Sequence, residues 1–256
     1  MFVDSHCHLE MENFDKDRDA VIRRALDEGL AFMLTVGTEE AYFPKVLSII
    51  ERYPQVYGAI AVHPHNGADY TDRLEQVLTP LLAHEKIVGY GEIGLDFFKN
   101  YSPREAQIEA FTRQMALART AGLPIIVHSR EAKDETIRLL AEHAGPAGGV
   151  IHCYSYDVAT AKKMLDMGFY ISIPGTLTYR SAAVQADVVR YVPTEKLLAE
   201  TDAPFLTPEP YRGKRNEPAF VKRVFEKIAQ IKNLPLPALA EALLANFRQL
   251  FVKEKL

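Results

Sequence analysis

The stretch Gly122-Leu123-Pro124-Ile125-Ile126-Val127-His128 carries the reading on which the fold turns. Its apolar run is strand-sized and rich in β-branched residues, and it ends on a histidine. A helix pattern precedes it. Ser102-Pro103-Arg104-Glu105 has the form of a capping box with proline in the first turn. Ile108, Phe111 and Met115 then form a stripe at helical spacing, and Gly122 is placed as the left-handed stop. Working outward, the same alternation recurs along the chain. Strand-like runs are expected at Phe2–His6, Ala31–Val36, Val56–His63, Lys86–Glu92, Leu123–His128, Gly149–Cys153, Phe169–Ile173 and Lys196–Thr201. Eight strands separated by helices predict a parallel sheet, and eight units suggest closure into a (β/α)8 TIM barrel, with a doubly wound open sheet as the competing arrangement.

The 256 residues match the roughly 250 that such a barrel takes as one domain, so a single domain over residues 1–256 is expected. With 48% hydrophobic residues the chain is not disordered. Its longest apolar run, Val56–Val62, is far short of the ~18 residues of a membrane span. The opening MFVDSHCHLE lacks the basic start and apolar stretch of a secretory signal, which makes a cytoplasmic protein the expectation. A net charge of −4, from 30 basic and 34 acidic residues, excludes an evenly basic nucleic-acid coat but not a compact patch. Two cysteines make no disulfide framework, and strand parity turns Cys7 and Cys153 towards the helix layer, as core.

The chemistry lies in polar residues at the ends of apolar strands. His6 and His8 are two apart and share a face, so both can reach one metal ion. Such a pair alone is weak evidence. Its weight comes from Glu92, His128, His152 and Asp202, which are expected to end the fourth, fifth, sixth and eighth strands and to converge at the barrel mouth. Imidazole nitrogens and carboxylate oxygens are ligands for divalent metals. Six exceed the needs of one tetrahedral ion and suit two, with Glu92 shared between them and a water made nucleophilic for phosphate-ester hydrolysis. Asp202 can hold an ion and accept that water's proton.

Other residues have two readings each. His63 reads as a leaving-group acid or phosphate donor, or as a brace for the turn at Pro64. Arg212, Lys214 and Arg215 lie in a long proline-rich loop, Ala203 to Pro218, and could grip phosphates or simply be solvated. Arg130 could reach a phosphate or pair with Glu200. Tyr154, Tyr156, Phe97 and Tyr179 could stack unpaired bases or pack. Asp4 is expected to orient a ligand from behind.

In combination, VDSHCHLE (3–10), AVHPH (61–65), GEIGLDF (91–97), PIIVHSR (124–130), GGVIHCYS (148–155), GFYISIPG (168–175), ETDAPFLTP (200–208) and YRGKRNEP (211–218) resemble the TatD family of metal-dependent hydrolases, over essentially the whole chain. The resemblance implies a distorted TIM barrel and divalent-metal-dependent hydrolysis, commonly of DNA and 3'-5' exonuclease-like, on single strands or ends. It implies His6, His8, Glu92 and Asp202 as ligands of a first ion and Glu92, His128 and His152 as ligands of a second, the ions being Zn, Mn, Mg or Ni. Glu92 and Asp202 are then catalytic, and His63, Arg130 and Lys214 bind substrate. Glu10 stands where Asp is more usual and Tyr154 where Phe is common, and neither is expected to touch a ligand. No membrane or obligate protein partner is implied. The alternative keeps the metals and changes the substrate, to an aminoacyl ester on tRNA or a small-molecule amide or ester; a zinc-stabilised scaffold fits six ligands poorly.

Overall fold

The computed structural model describes residues 1–252. Eight parallel strands stand in sequence order in one sheet: β1 (Phe2–Cys7), β2 (Leu30–Gly37), β3 (Val56–Ile60), β4 (Ile87–Asp96), β5 (Ile125–Arg130), β6 (Gly149–Ile151), β7 (Tyr170–Ile173) and β8 (Leu197–Ala199). Each is followed by its helix: α1 (Arg18–Asp27), α2 (Phe43–Arg52), α3 (Asp72–Leu81), α4 (Arg104–Ala121), α5 (Lys133–His143), α6 (Val158–Asp166), α7 (Ala183–Tyr191) and α8 (Val221–Lys232). A further helix, α9 (Leu236–Phe251), closes the chain. This is the TIM barrel read from the alternation, distorted where β6 and β8 run for only three residues each. Among the described residues no helix is long and apolar enough to cross a membrane.

The seam between β1 and β8 is sewn more by side chains than by a ladder. An isolated parallel bridge joins Cys7 to Ala203, with His8 N donating to Ala203 O at 2.8 Å and Asp202 N to His6 O at 2.9 Å. Deeper in, the fully buried Asp4 carboxylate accepts from Thr201 N at 2.9 Å and from Thr201 Oγ1 at 2.5 Å. Ser5 Oγ donates to Ala199 O at 3.0 Å. Buried backbone and hydroxyl groups of both strands therefore find partners although β8 is short. From outside, α9 lays Phe247 and Phe251 against the barrel, and Asn246 Nδ2 donates to Leu197 O at 2.8 Å.

Strand ends differ from those expected, and the difference bears on the site. Glu92 does not end β4: the strand runs four residues further, to Asp96. Between Gly91, opposite Ile126, and Ile93, opposite Val127, Glu92 is an extra residue in the ladder. Such a bulge re-aims the side chain it carries. Gly94 then lets β4 approach β5, since a Cβ there would stand 1.9 Å from His128 O. His63, His152 and Asp202 lie just beyond β3, β6 and β8 rather than on them. Asp202 and Cys153 have left-handed backbones, with φ of 56° and 47°.

Two local expectations fail. Ser102 does not cap α4: its hydroxyl donates to His65 O and accepts from Ala68 N, tying that helix start to the loop after β3. Gly122, with φ of 68°, does end the helix as read. Cys7 is core, its thiol donating to Leu34 O at 3.3 Å. Cys153 is not: its left-handed backbone breaks the alternation that parity assumed, and the residue is half-buried beside the site.

Candidate metal centre

Five nitrogen and oxygen donors, from the ends of β1, β5, β6 and β8, meet around the Glu92 carboxylate of β4. His6 Nε2 and His8 Nε2 are 3.2 Å apart. Glu92 Oε2 lies 3.5 Å from the first and 4.0 Å from the second. Asp202 Oδ1 lies 3.8 and 3.3 Å from the same two atoms. Four donors on a tetrahedron of metal–ligand distance near 2.1 Å stand about 3.4 Å apart, and these five separations, 3.2 to 4.0 Å, are of that size. The other oxygen, Glu92 Oε1, faces the opposite way, 2.7 Å from His128 Nδ1 and 2.8 Å from His152 Nε2.

The proton-bearing nitrogens turn outward. His8 Nδ1 is 2.8 Å from Val36 O and 3.2 Å from Glu10 Oε1, so it carries the proton and leaves the Nε2 lone pair inward. His128 Nε2 faces Asp96 Oδ2 at 3.3 Å, which leaves Nδ1 for the centre. His152 Nδ1 stands 3.2 Å from Oε1 of the buried Glu200, close though not aligned on it. His6 stacks on His152 at 3.9 Å, and its Nδ1 has no partner among the described residues. Buried lone pairs converging on two points, each bordered by a carboxylate, fit divalent cations.

The electrostatics agree. Burial would raise Glu92, but the surrounding His152, His63 and His128 hold its carboxyl well below the usual range. Asp202 is likewise pushed up by burial and brought below its ordinary value by His8 and His152. Burial lowers His8, yet Asp202 and Glu10 draw it well above the usual imidazole value. Two anions kept charged in a dry pocket by protonated imidazoles mark a place that stabilises positive charge, and a cation there would displace the inward protons and free the ring nitrogens to bind it.

His63 separates from this set. Its Nε2 is 3.3 Å from Glu92 Oε1, close enough to suggest a ligand. However, its Nδ1 accepts from His65 N at 3.1 Å, so Nε2 carries the proton and points an N–H at the centre. Burial pushes its pKa down to about 4, so in this metal-free centre His63 is a neutral hydrogen-bond donor. The brace at Pro64 is also real, because the same Nδ1 caps that turn.

Of the rim residues, Arg130 is exposed and stacked on Phe98, with Cζ 4.0 Å from the ring centroid; no bond to Glu200 forms, because Glu200 is occupied with Cys153 N. Lys214 is exposed and, among the described residues, unpaired. Arg215 is spent on a bidentate pair with Asp17 at 2.8 and 2.7 Å, and Arg212 lies over Tyr179. Tyr154 is buried, and Tyr156 Oη is bonded to Ser129 and Ala132, so both pack. Asp4 meets His6 only through its backbone N, at 3.4 Å, and serves the seam.

Glu10 corrects a second expectation, since it touches His8 directly and is itself held by Thr35 Oγ1 at 2.6 Å. Asp96 was not nominated at all. It is buried, and its Oδ2 receives both His65 Nε2, at 2.9 Å, and His128 Nε2. Its position two and four residues beyond Gly94 and Glu92 on one strand face was the available signal.

With this geometry in place, the comparisons are specific. The family profile described as TatD related DNase matches residues 3–252. The uncharacterized metal-dependent hydrolase YabD of Bacillus subtilis is 39% identical over 252 residues, covering 98% of this chain and 99% of that one. The uncharacterized metal-dependent hydrolase YcfH of Escherichia coli is 39% identical over 253 residues, covering 97% of this chain and 95% of that one. The crystal structure of the TatD homologue YjjV from Escherichia coli superposes with a TM-score of 0.94 at 33% identity, covering 99% and 98%. The chain is a member of the TatD family of metal-dependent hydrolases.

Proposed function

We propose that the protein is a deoxyribonuclease that hydrolyses phosphodiester bonds in single strands or at ends, in the 3'-5' exonuclease manner, with two divalent cations shared across Glu92. The observation that carries this reading is the division of one carboxylate: Oε2 towards His6 and His8, with Asp202 beside them, and Oε1 towards His128 and His152. Divalent cations held by these residues would supply Lewis acidity to phosphoryl oxygens and lower the pKa of water, chemistry suited to in-line displacement at phosphorus.

The chain's own groups do the rest. His6, His8, Glu92 and Asp202 would hold one ion, and Glu92, His128 and His152 the other. Asp202 is fixed from behind by Asp202 N to His6 O, so its carboxylate is held at the centre to take a proton from the attacking water. His63 presents its N–H beside Glu92, where it can bind a phosphoryl oxygen without giving up the proton. Arg130 and Lys214 stand on the rim as phosphate contacts.

Purified Asp202→Ala protein tests this. It should retain the fold and lose metal-dependent cleavage of a single-stranded oligonucleotide; full nuclease activity would reject the assignment. Parallel assays on an aminoacyl ester and on a small amide discriminate the substrate class, because turnover of these alone would replace the phosphodiesterase reading.

A further inference from the structure

We propose that the mouth seats the two nucleosides flanking the scissile phosphodiester on two separate aromatic platforms, Phe205 on one side and Phe98 with Tyr101 on the other. The inference rests on the phosphodiesterase reading and adds how a strand is gripped. Phe98, Tyr101 and Phe205 are 51%, 67% and 48% exposed, in a protein whose other phenylalanines are mostly buried. Their positions are not scattered. Phe98 and Tyr101 lie in the loop directly after β4, and Phe205 lies in the loop after β8, so all three are at the C-terminal ends of strands that bring donors to the centre.

Each platform adjoins a different half of the centre. The Phe205 ring stands 6.2 Å from that of His8, at 66°. Tyr101 stands 4.7 Å from His65, at 70°, and His65 shares the Asp96 oxygen with His128. Thus one aromatic borders the Glu92 Oε2 side and the other the Oε1 side. A phosphate between the two sides has its neighbouring nucleosides directed to opposite platforms.

The charges select what lies there. Arg130 is stacked 4.0 Å from the Phe98 centroid, and Lys99 Nζ is 6.0 Å from Phe98 and 5.8 Å from Tyr101. A protein or lipid partner would meet a continuous apolar face, whereas these rings are divided by a buried polar centre and flanked by cations. Flat rings joined by anionic links, the structure of a single strand, match that alternation of aromatic and positive groups. Glu39 and Asp69, on the loops after β2 and β3, disfavour a phosphate backbone on that flank. The backbone therefore leaves over the β5 and β8 loops, past Arg130 and Lys214.

Base stacking on one aromatic is worth roughly 5- to 150-fold in affinity by alanine substitution. The test uses the metal-loaded full chain and a short single strand with phosphorothioate linkages, which is bound while cleavage is blocked. One strand carries 2-aminopurine on each side of the 3'-terminal linkage; two others carry an abasic sugar on one side or the other. Phe205→Ala should weaken the fully based strand about tenfold or more and leave unchanged the strand that lacks the base on that side. Phe98→Ala combined with Tyr101→Ala should show the converse pattern. All three side chains are exposed, so the variants should unfold at the wild-type midpoint, which is measured alongside. Equal losses on based and abasic strands, no loss, or no binding by the unsubstituted protein overturns the proposal. Binding with the expected pattern, but no cleavage of the same strand with ordinary phosphates, would instead overturn the hydrolytic reading and leave the platforms standing.

Discussion

Asp96→Asn is a sharp perturbation because the two oxygens of Asp96 have different tasks. Oδ1 accepts from Phe98 N at 3.1 Å and Lys99 N at 2.8 Å, which shapes the loop after β4. Oδ2 accepts from His65 and His128. The asparagine carbonyl can keep the Oδ1 bonds while its NH2 replaces Oδ2. An NH2 opposite His128 Nε2 reverses the demand on the ring: Nε2 must now accept, the proton moves to Nδ1, and Nδ1 is the atom 2.7 Å from Glu92. Loss of a hydrogen bond to a charged group costs about 1.5–3 kcal/mol, which corresponds to roughly 10- to 150-fold in an equilibrium constant. That agrees with the roughly 10- to 100-fold typical of removing a carboxylate behind a metal-bound histidine. The effect should fall on one cation only, since Asp96 does not touch His6, His8 or Asp202. Glu10→Gln acts on the other side alone, because Glu10 backs His8 and no group on the His128 side, and its effect should be smaller, since Val36 O keeps the His8 proton on Nδ1. Competition titrations against a chelator, on metal-stripped protein, read both sites. Each variant should weaken one of two binding steps and spare the other. Both steps falling together in either variant, or neither step moving, would refute the tautomer argument.

His63 has its folded pKa depressed to about 4 from 6.5, so the metal-free protein should lose stability as pH falls from about 6.5 towards 4, when the unfolded chain takes up a proton that the folded one refuses. His63→Gln removes that contribution, and its stability should fall less by up to about 3 kcal/mol over the same window in urea titrations; parallel curves would contradict the assignment. Asp4→Ala leaves the buried Thr201 N–H and hydroxyl unpaired at the seam and should cost about 3–5 kcal/mol, visible as a lower denaturation midpoint. In the long loop, Arg215→Met should lower stability by about 1 kcal/mol without a specific effect on DNA affinity, whereas Lys214→Met should do the reverse, with a shallower salt dependence of binding.

Much of this centre was legible because strand alternation is a strong constraint. His6 and His8 must share a face, and Glu92, His128, His152 and Asp202 fall where a closed barrel collects its strand ends. What escaped was whatever breaks local periodicity. A bulge carries Glu92 mid-strand, and the strand then continues to Asp96, a residue that looks like the start of a loop. A left-handed backbone at Cys153 turns it out of the core that parity assigned. Ser102 has the pattern of a cap, but the better partners come from the loop after β3. Long-range pairing was equally invisible. Arg215 meets Asp17 across 198 positions and Arg212 lies over Tyr179, which leaves Lys214, among the described residues, as the member of the cluster without a partner.

On the proposed function, cutting DNA requires two cations, one held on each side of Glu92. Metal-stripped protein titrated with Mn or Zn, with cleavage of a single-stranded oligonucleotide followed at each equivalent, tests it most directly. Negligible cleavage is expected up to one bound ion and a rise to full rate as the second is filled, with no such rise in Glu92→Gln. Full cleavage at one equivalent, or none at two with any divalent metal, would contradict it.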